Sequence, residues 1–265
     1  MVDFAPLFDD QNPMRVAALF SGGASGVEYL LERSPELGDL YRIIVGFCDR
    51  RNVPGVDKLE SRGVPVEVVA RADFYPEGKI TPDAREHYFE ALYEKLKAYN
   101  PDLIVLSGFM QIVTDPLLSG FRNRILNVHP ADLRIEEGGK RKFVGDDTVY
   151  DAVQAGEEHL RSSVHIVSEQ VDQGALMAVS RPLPVETELV EVLKEKAPEK
   201  IRGYADALQE WLKWEGDGPC LDQALQLIAR GVVGTKAKSG IVFDMGGQIV
   251  QGYYDLKGEK IRTAR

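Results

Sequence analysis

Residues 15–34 read RVAALFSGGASGVEYLLERS. An apolar run, RVAALF, gives way to Ser21-Gly22-Gly23-Ala24-Ser25-Gly26 and then to an amphipathic segment beginning at Val27. A short apolar run bounded by glycines predicts a buried strand. Strand, glycine turn and helix in that order aim backbone N–H groups at an anion. The loop lacks the Lys-Ser/Thr ending of a nucleotide-triphosphate loop and the full spacing of a dinucleotide fingerprint. By itself it fits a tight turn as well as a phosphate site.

The same alternation continues outward. YRIIVGFCD (41–49), VPVEVVA (64–70), DLIVLSGF (102–109) and RILNVHP (124–130) each predict a strand. Short helices are expected over 56–62 and 115–118. Between them, residues 83–99 carry Tyr88, Leu92 and Leu96 at helical spacing before Asn100-Pro101 ends the run. Strands alternating with helices predict an α/β fold, Rossmann-like, with a mostly parallel sheet covered by helices on both faces.

Further along, residues 149–156 predict a helix. SSVHIVSE (162–169) and ALMAVSRPL (175–183) predict two strands joined by Gln170-Val171-Asp172-Gln173-Gly174. A long charged helix is expected over 188–214, another helix over 221–229, and a hairpin over 239–258 around Gly246-Gly247. The chain is thus expected to hold a loose leader (1–13), a catalytic domain (14–184), and C-terminal helices and a hairpin (185–265). The last part packs on the same domain or forms a homodimer contact.

Composition narrows the function class. The 265 residues carry a net charge of −10, with 44% apolar and 28% charged residues, ordinary for a globular protein. That acidic balance argues against a nucleic-acid partner, which usually demands a basic footprint. The longest nearly apolar run, LIVLSGFMQIV (103–113), is too short to span a bilayer. Asp3, Asp9 and Asp10 stand where a secretory signal would be basic. Cys48 and Cys220 are far apart and lack metal-ligand spacing. A cytoplasmic protein acting on small molecules, with no membrane partner and no metal, is expected.

Candidate chemistry centres on RILNVHP. Alternation along the strand puts Asn127 and His129 on one face and Leu126 and Val128 on the other. A lone strand histidine is more often structural than catalytic. His129, however, falls at the carboxyl end of a predicted parallel strand, where open α/β sheets place ligands. Asp172 reads as a turn former or a functional carboxylate. His165 reads as a core histidine, and Lys140-Arg141-Lys142 as a solvent-facing run or a holder of one anion.

Taken in order, LFSGGASG, GFCDRR, NPDLIVLSGFMQIV, ILNVHPADL and SSVHIVSEQVDQGALM resemble the folate-dependent formyltransferases over residues 14–184. The resemblance implies a Rossmann-like fold and formyl transfer from 10-formyltetrahydrofolate to an amine, first of all glycinamide ribonucleotide of purine biosynthesis. It places a catalytic trio on Asn127, His129 and Asp172, with His165 behind them. Asn127 and a protonated His129 would stabilise the oxyanion of a tetrahedral intermediate, and Asp172 would favour the protonated ring and aid removal of the amine proton. The substrate phosphate is expected at Ser21, Gly22, Gly23, Ala24, Ser25 and Gly26. The folate is expected at Phe109, Met110, Gln111, Ile112, Val113 and Val171, with Arg85 meeting its glutamate carboxylate.

Departures fall on the acceptor side. The family loop usually contains Gly-Ser-Asn, an arginine usually stands at Gln111, and Ala131–Arg134 and residues 135–147 replace the family's usual sequence. Other readings are therefore an amino sugar nucleotide or another amine as acceptor, a formyltetrahydrofolate hydrolase, and a non-catalytic relative.

Overall fold

The structure is a computed structural model that describes residues 4–10, 12–75, 78–236 and 239–263. The elements run β1 (Phe4–Pro6), β2 (Met14–Phe20), α1 (Ser25–Leu37), β3 (Tyr41–Cys48), α2 (Pro54–Glu60), β4 (Val66–Val68), α3 (Pro82–Tyr99), β5 (Leu103–Ser107), α4 (Leu117–Gly120) and β6 (Ile125–His129). After them come the short pair β7 (Glu136–Glu137) and β8 (Lys140–Arg141), α5 (Thr148–Ala155), β9 (His159–Leu160), β10 (Ser163–Ile166), β11 (Leu176–Val179) and β12 (Leu183–Pro184). The C-terminal part holds α6 (Thr187–Lys196), α7 (Ile201–Leu212), α8 (Gly218–Ala229), β13 (Val233–Lys236), β14 (Gly240–Asp244), β15 (Ile249–Val250), β16 (Gly252–Asp255) and β17 (Lys260–Thr263).

Nine strands form the main sheet in the order β17-β16-β11-β10-β6-β5-β2-β3-β4. The block from β6 to β4 is parallel throughout, as the helix-separated strands require. Strand β10 then pairs antiparallel with β6 and with β11. Alternation along β2 divides the core in two. Val16, Ala18 and Phe20 meet Val27 and Leu30 of α1, Leu59 of α2 and Leu221 and Leu225 of α8. Ala17 and Leu19 face the other way, onto Tyr88, Phe89, Leu92 and Leu96 of α3. Helices thus cover both faces, and the expected fold class is observed.

Three expectations change. Residues 4–6, expected in a loose leader, form a strand that pairs antiparallel with β13, Phe4 opposite Lys236. The single helix expected over 188–214 is broken after Lys196, because Pro198 cannot supply the N–H that would continue it. Its second half, α7, buries Ile201, Ala205, Leu208 and Leu212 in one stripe against Val149 and Val153 of α5, forming a third core. The hairpin expected around Gly246-Gly247 is present as β14–β15, both glycines having positive φ. The chain then leaves it, and β16 joins the main sheet parallel to β11.

Candidate active site

The glycine loop and the Asn-x-His strand converge at the carboxyl ends of the parallel strands. Helix α1 begins at Ser25 with Ala24 in the left-handed region and no side-chain cap on its first N–H groups. Nothing lies within 4 Å of a side chain built on Gly22 or Gly23, so the loop is open on that side. Ser21, expected among the phosphate ligands, is buried instead. Its N–H donates to Gly108 O (2.9 Å) and its Oγ accepts from Met110 N (2.8 Å). It ties the glycine loop to the segment after β5. Gly26 is also buried, with Ser107 Oγ 2.7 Å from where a Cβ would sit.

On β6, Asn127 and His129 share a face as expected, and the antiparallel neighbour brings His165 directly opposite Asn127. The β10–β11 ladder slips register between Val164 and His165, an irregularity of the kind that re-aims a side chain. Asp172 comes from the β10–β11 turn with φ 53°. That turn passes so close to β10 that a Cβ on Gly174 would lie 1.7 Å from Ile166 O.

Asn127 Nδ2 is 3.2 Å from His165 Nε2 and 3.4 Å from Asp172 Oδ1. His165 Nδ1 faces the carbonyl of Ile166 at 2.9 Å, so Nδ1 carries a proton and Nε2 points at Asn127 and at Asp172 Oδ1, 3.3 Å away. His129 Nδ1 lies 3.8 Å from Asp172 Oδ2, and its Nε2 faces Phe143 O at 3.0 Å. A carbonyl can only accept, so the His129 proton sits on Nε2 and Nδ1 is the free acceptor of the neutral ring.

Burial lowers the pKa of His129 against the upward pull of Asp172 and the Phe143 carbonyl. Burial thus favours the neutral ring over the protonated one that the resemblance implies. Burial alone would raise the Asp172 carboxyl. The hydrogen bond with His165, the facing His129 and the Gly145 N–H outweigh it and hold the pKa at about 2.

The 135–147 stretch supplies partners that the sequence reading missed. Its β7–β8 hairpin turns at Gly138-Gly139, both with positive φ. Arg141, expected to face solvent, is half-buried and donates to Asp172 O. Gly145 N donates to Asp172 Oδ2 at 3.2 Å, and Phe143 contributes its carbonyl to His129. The Gly-Gly pair between Glu136-Glu137 and Lys140-Arg141 is the signal that predicts this hairpin.

The expected folate segment splits by alternation. Phe109 and Val113 are buried in the α3-side core, and Gln111 turns inward to Asp49 and Tyr75. Only Met110 and Ile112 present their side chains, 45% and 50% exposed, as does Val171 beside Asp172 at 47%. Arg85 is half-buried near the start of α3, its Nε without a hydrogen-bond partner. A separate open cavity of about 1440 Å³ lies beyond the 170–174 turn, lined by Arg134, Arg141, Tyr253 and Arg262 among others. The trio does not line it. Among the described residues no group of three or more His, Cys, Asp or Glu side chains is placed to hold a metal, and no helix is long and apolar enough to cross a membrane.

Comparison with known proteins identifies the family and the fold. The formyl transferase family model matches residues 14–204. The trifunctional purine biosynthetic protein adenosine-3 of Gallus gallus is 27% identical over 222 residues, 84% of this chain and 19% of that protein. The chain thus spans about a fifth of the length of that relative. Phosphoribosylglycinamide formyltransferase of Escherichia coli (strain K12) is 26% identical over 166 residues, 62% of this chain and 70% of that one. Glycinamide ribonucleotide transformylase 1 from Symbiobacterium toebii superimposes with a TM-score of 0.65 at 26% identity, covering 89% of this chain and 93% of that chain. With a model that spans most of its length and a matching fold, this chain belongs to the formyl transferase family.

Proposed function

We propose that this chain transfers the formyl group of 10-formyltetrahydrofolate to the amine of glycinamide ribonucleotide, as in purine biosynthesis. The observation that carries the reading is the meeting of Asn127, His129 and Asp172 at the carboxyl end of β6, close to an uncapped helix N-terminus. The open side of the glycine loop, at Gly22, Gly23 and Ser25, suits the ribonucleotide phosphate, because free N–H groups and the helix dipole favour an anion. Met110, Ile112 and Val171 offer an apolar surface for the flat pteridine, with Arg85 near the same segment.

The chemistry follows from the resting protonation states. Neutral His129 accepts the attacking amine's proton at Nδ1 as the C–N bond forms, and Asp172, 3.8 Å away, stabilises the imidazolium that results. Asn127 gives up its long 3.4 Å contact with Asp172 to donate to the oxyanion, a contribution of roughly 3 kcal/mol for one well-placed donor. The imidazolium then returns its proton to N10 of the folate as the C–N10 bond breaks. Asp172, with a pKa near 2, is too weak a base to serve as the final proton acceptor, so its part is to orient and stabilise.

A panel of acceptors with 10-formyltetrahydrofolate as donor tests this. Glycinamide ribonucleotide is expected to be the preferred acceptor. Faster turnover of an amino sugar nucleotide, or formate release with no acceptor, would overturn the assignment.

A further inference from the structure

Gln111 turns its amide into the protein. Its Nε2 donates to Asp49 Oδ2 at 3.0 Å, and Tyr75 OH donates to its Oε1 at 3.2 Å. Asp49 follows β3 at the carboxyl end of the sheet, and its side chain is wholly buried. Its Oδ1 has no hydrogen-bond partner. The flanking cations stand off, Arg50 Nε at 4.0 Å from Oδ1 and Arg71 Nη1 at 3.9 Å from Oδ2. Among the described residues, Gln111 is therefore the side chain that hydrogen-bonds this carboxylate. A buried carboxylate stripped of its last hydrogen bond is costly, so Gln111 is held inward.

The position of the anchor matters. On either side of Gln111, Met110 and Ile112 stand exposed on the opposite side of the chain, while Ser21 fastens Gly108 O and Met110 N to the glycine loop. One end of the 108–113 segment is thus pinned by Ser21, and its middle is pinned by the Asp49–Gln111–Tyr75 chain.

We propose that Gln111 is a positioning residue for the formyl donor: its buried bond to Asp49 sets the course of the 108–113 segment and so the presentation of Met110 and Ile112. This rests on the reading of that segment as the folate surface. The Asp49 carboxylate faces Arg50, Arg71, Tyr75, Tyr88 and Cys48 as well as Gln111. Burial raises the pKa of both tyrosines and of the thiol, so these three remain neutral through the pH range of the test.

Calorimetric titration of the full chain with tetrahydrofolate, and separately with glycinamide ribonucleotide, tests the proposal on wild type, Gln111→Leu, Gln111→Glu and Gln111→Arg. Gln111→Leu should weaken tetrahydrofolate binding about tenfold, the equivalent of one hydrogen bond, with ribonucleotide binding unchanged. Gln111→Glu sets a second carboxylate against Asp49. Its defect relative to wild type should be largest near pH ~8 and shrink towards pH ~5, where the pair shares a proton. Gln111→Arg keeps a donor opposite Asp49 and should bind close to wild type. Unchanged tetrahydrofolate binding in Gln111→Leu and Gln111→Glu, or equal loss of both ligands, overturns the proposal while leaving the folate reading intact. Failure of the wild type to bind tetrahydrofolate overturns both.

Discussion

The imidazole of His129 donates its Nε2 proton to the carbonyl of Phe143, 3.0 Å away, and so turns Nδ1 towards Asp172. A backbone group from the 135–147 stretch thereby fixes the tautomer of the central side chain. Burial favours the neutral ring, with Nδ1 facing the Asp172 carboxylate at 3.8 Å.

Acid should therefore inactivate the enzyme through His129. The folded state depresses its pKa below the unfolded value of about 6.5, so the unfolded chain takes up the proton first as pH falls. The stability contributed by the neutral ring is complete above about pH 6.5 and is lost on acidification through and below that value. His129→Gln is expected to flatten the fall of Tm between about pH 7 and pH 5, and to lower kcat by about 10²–10⁴. An unchanged Tm profile or near-normal turnover would contradict the assignment.

Asp172 behaves in the same sense at lower pH. Its folded pKa of about 2 lies below the unfolded value of about 3.9, so its stabilisation is present above pH ~4 and disappears as pH falls towards 2. Asp172→Asn should reduce kcat by at least about 10² with the fold retained at neutral pH. Urea unfolding of the variant should show less loss of stability than wild type between those pH values.

Gly174 controls where Asp172 stands. A Cβ there would sit 1.7 Å from Ile166 O, a backbone atom that cannot step aside without moving β10. Gly174→Ala should displace the turn and cut kcat roughly tenfold to a hundredfold, the range expected for misplacement by about an ångström. Kinetics together with circular dichroism separate this from global unfolding.

Asp217 gives the opposite pH dependence. It lies in the one-turn π-helix before α8, half-buried, where its Oδ1 accepts from Ser162 Oγ, and desolvation of the carboxyl pushes its pKa up to about 6. Because folding favours the protonated form, stability falls as pH rises from about 4 through about 6. Asp217→Asn should stabilise the protein at pH ~7 by on the order of 2 kcal/mol, with little gain at pH ~4. Denaturant melts of both proteins at the two pH values check this.

What the sequence reading could reach depended on how local the signal was. The strands β2, β3, β5 and β6 are apolar runs with glycine, proline or asparagine at their ends, and Asn127 and His129 follow from strand alternation. The strand Phe4–Pro6 was not visible because its partner, β13, lies near the other end of the chain. Pro198 did signal a break within the charged helix, but helical periodicity on both sides masked it.

The candidate site was legible in its side chains and not in its backbone partners. Phe143 and Gly145 act through a carbonyl and an N–H, which carry no residue-type signature. Arg141 looked solvent-facing because a basic run usually is, and only the turn at Gly138-Gly139 folds it back onto Asp172. The resemblance puts Gln111 among the folate-contacting residues, whereas alternation along 109–113 turns it into the protein with Phe109 and Val113.

The most direct measurement supplies 10-formyltetrahydrofolate labelled with carbon-13 in the formyl group, together with glycinamide ribonucleotide, and follows the label by NMR. The label is expected to move to the ribonucleotide amide in wild type and, over the same time course, to stay on the folate in the Asp172→Asn variant. Label appearing as free formate, or remaining on the folate in wild type, would contradict it.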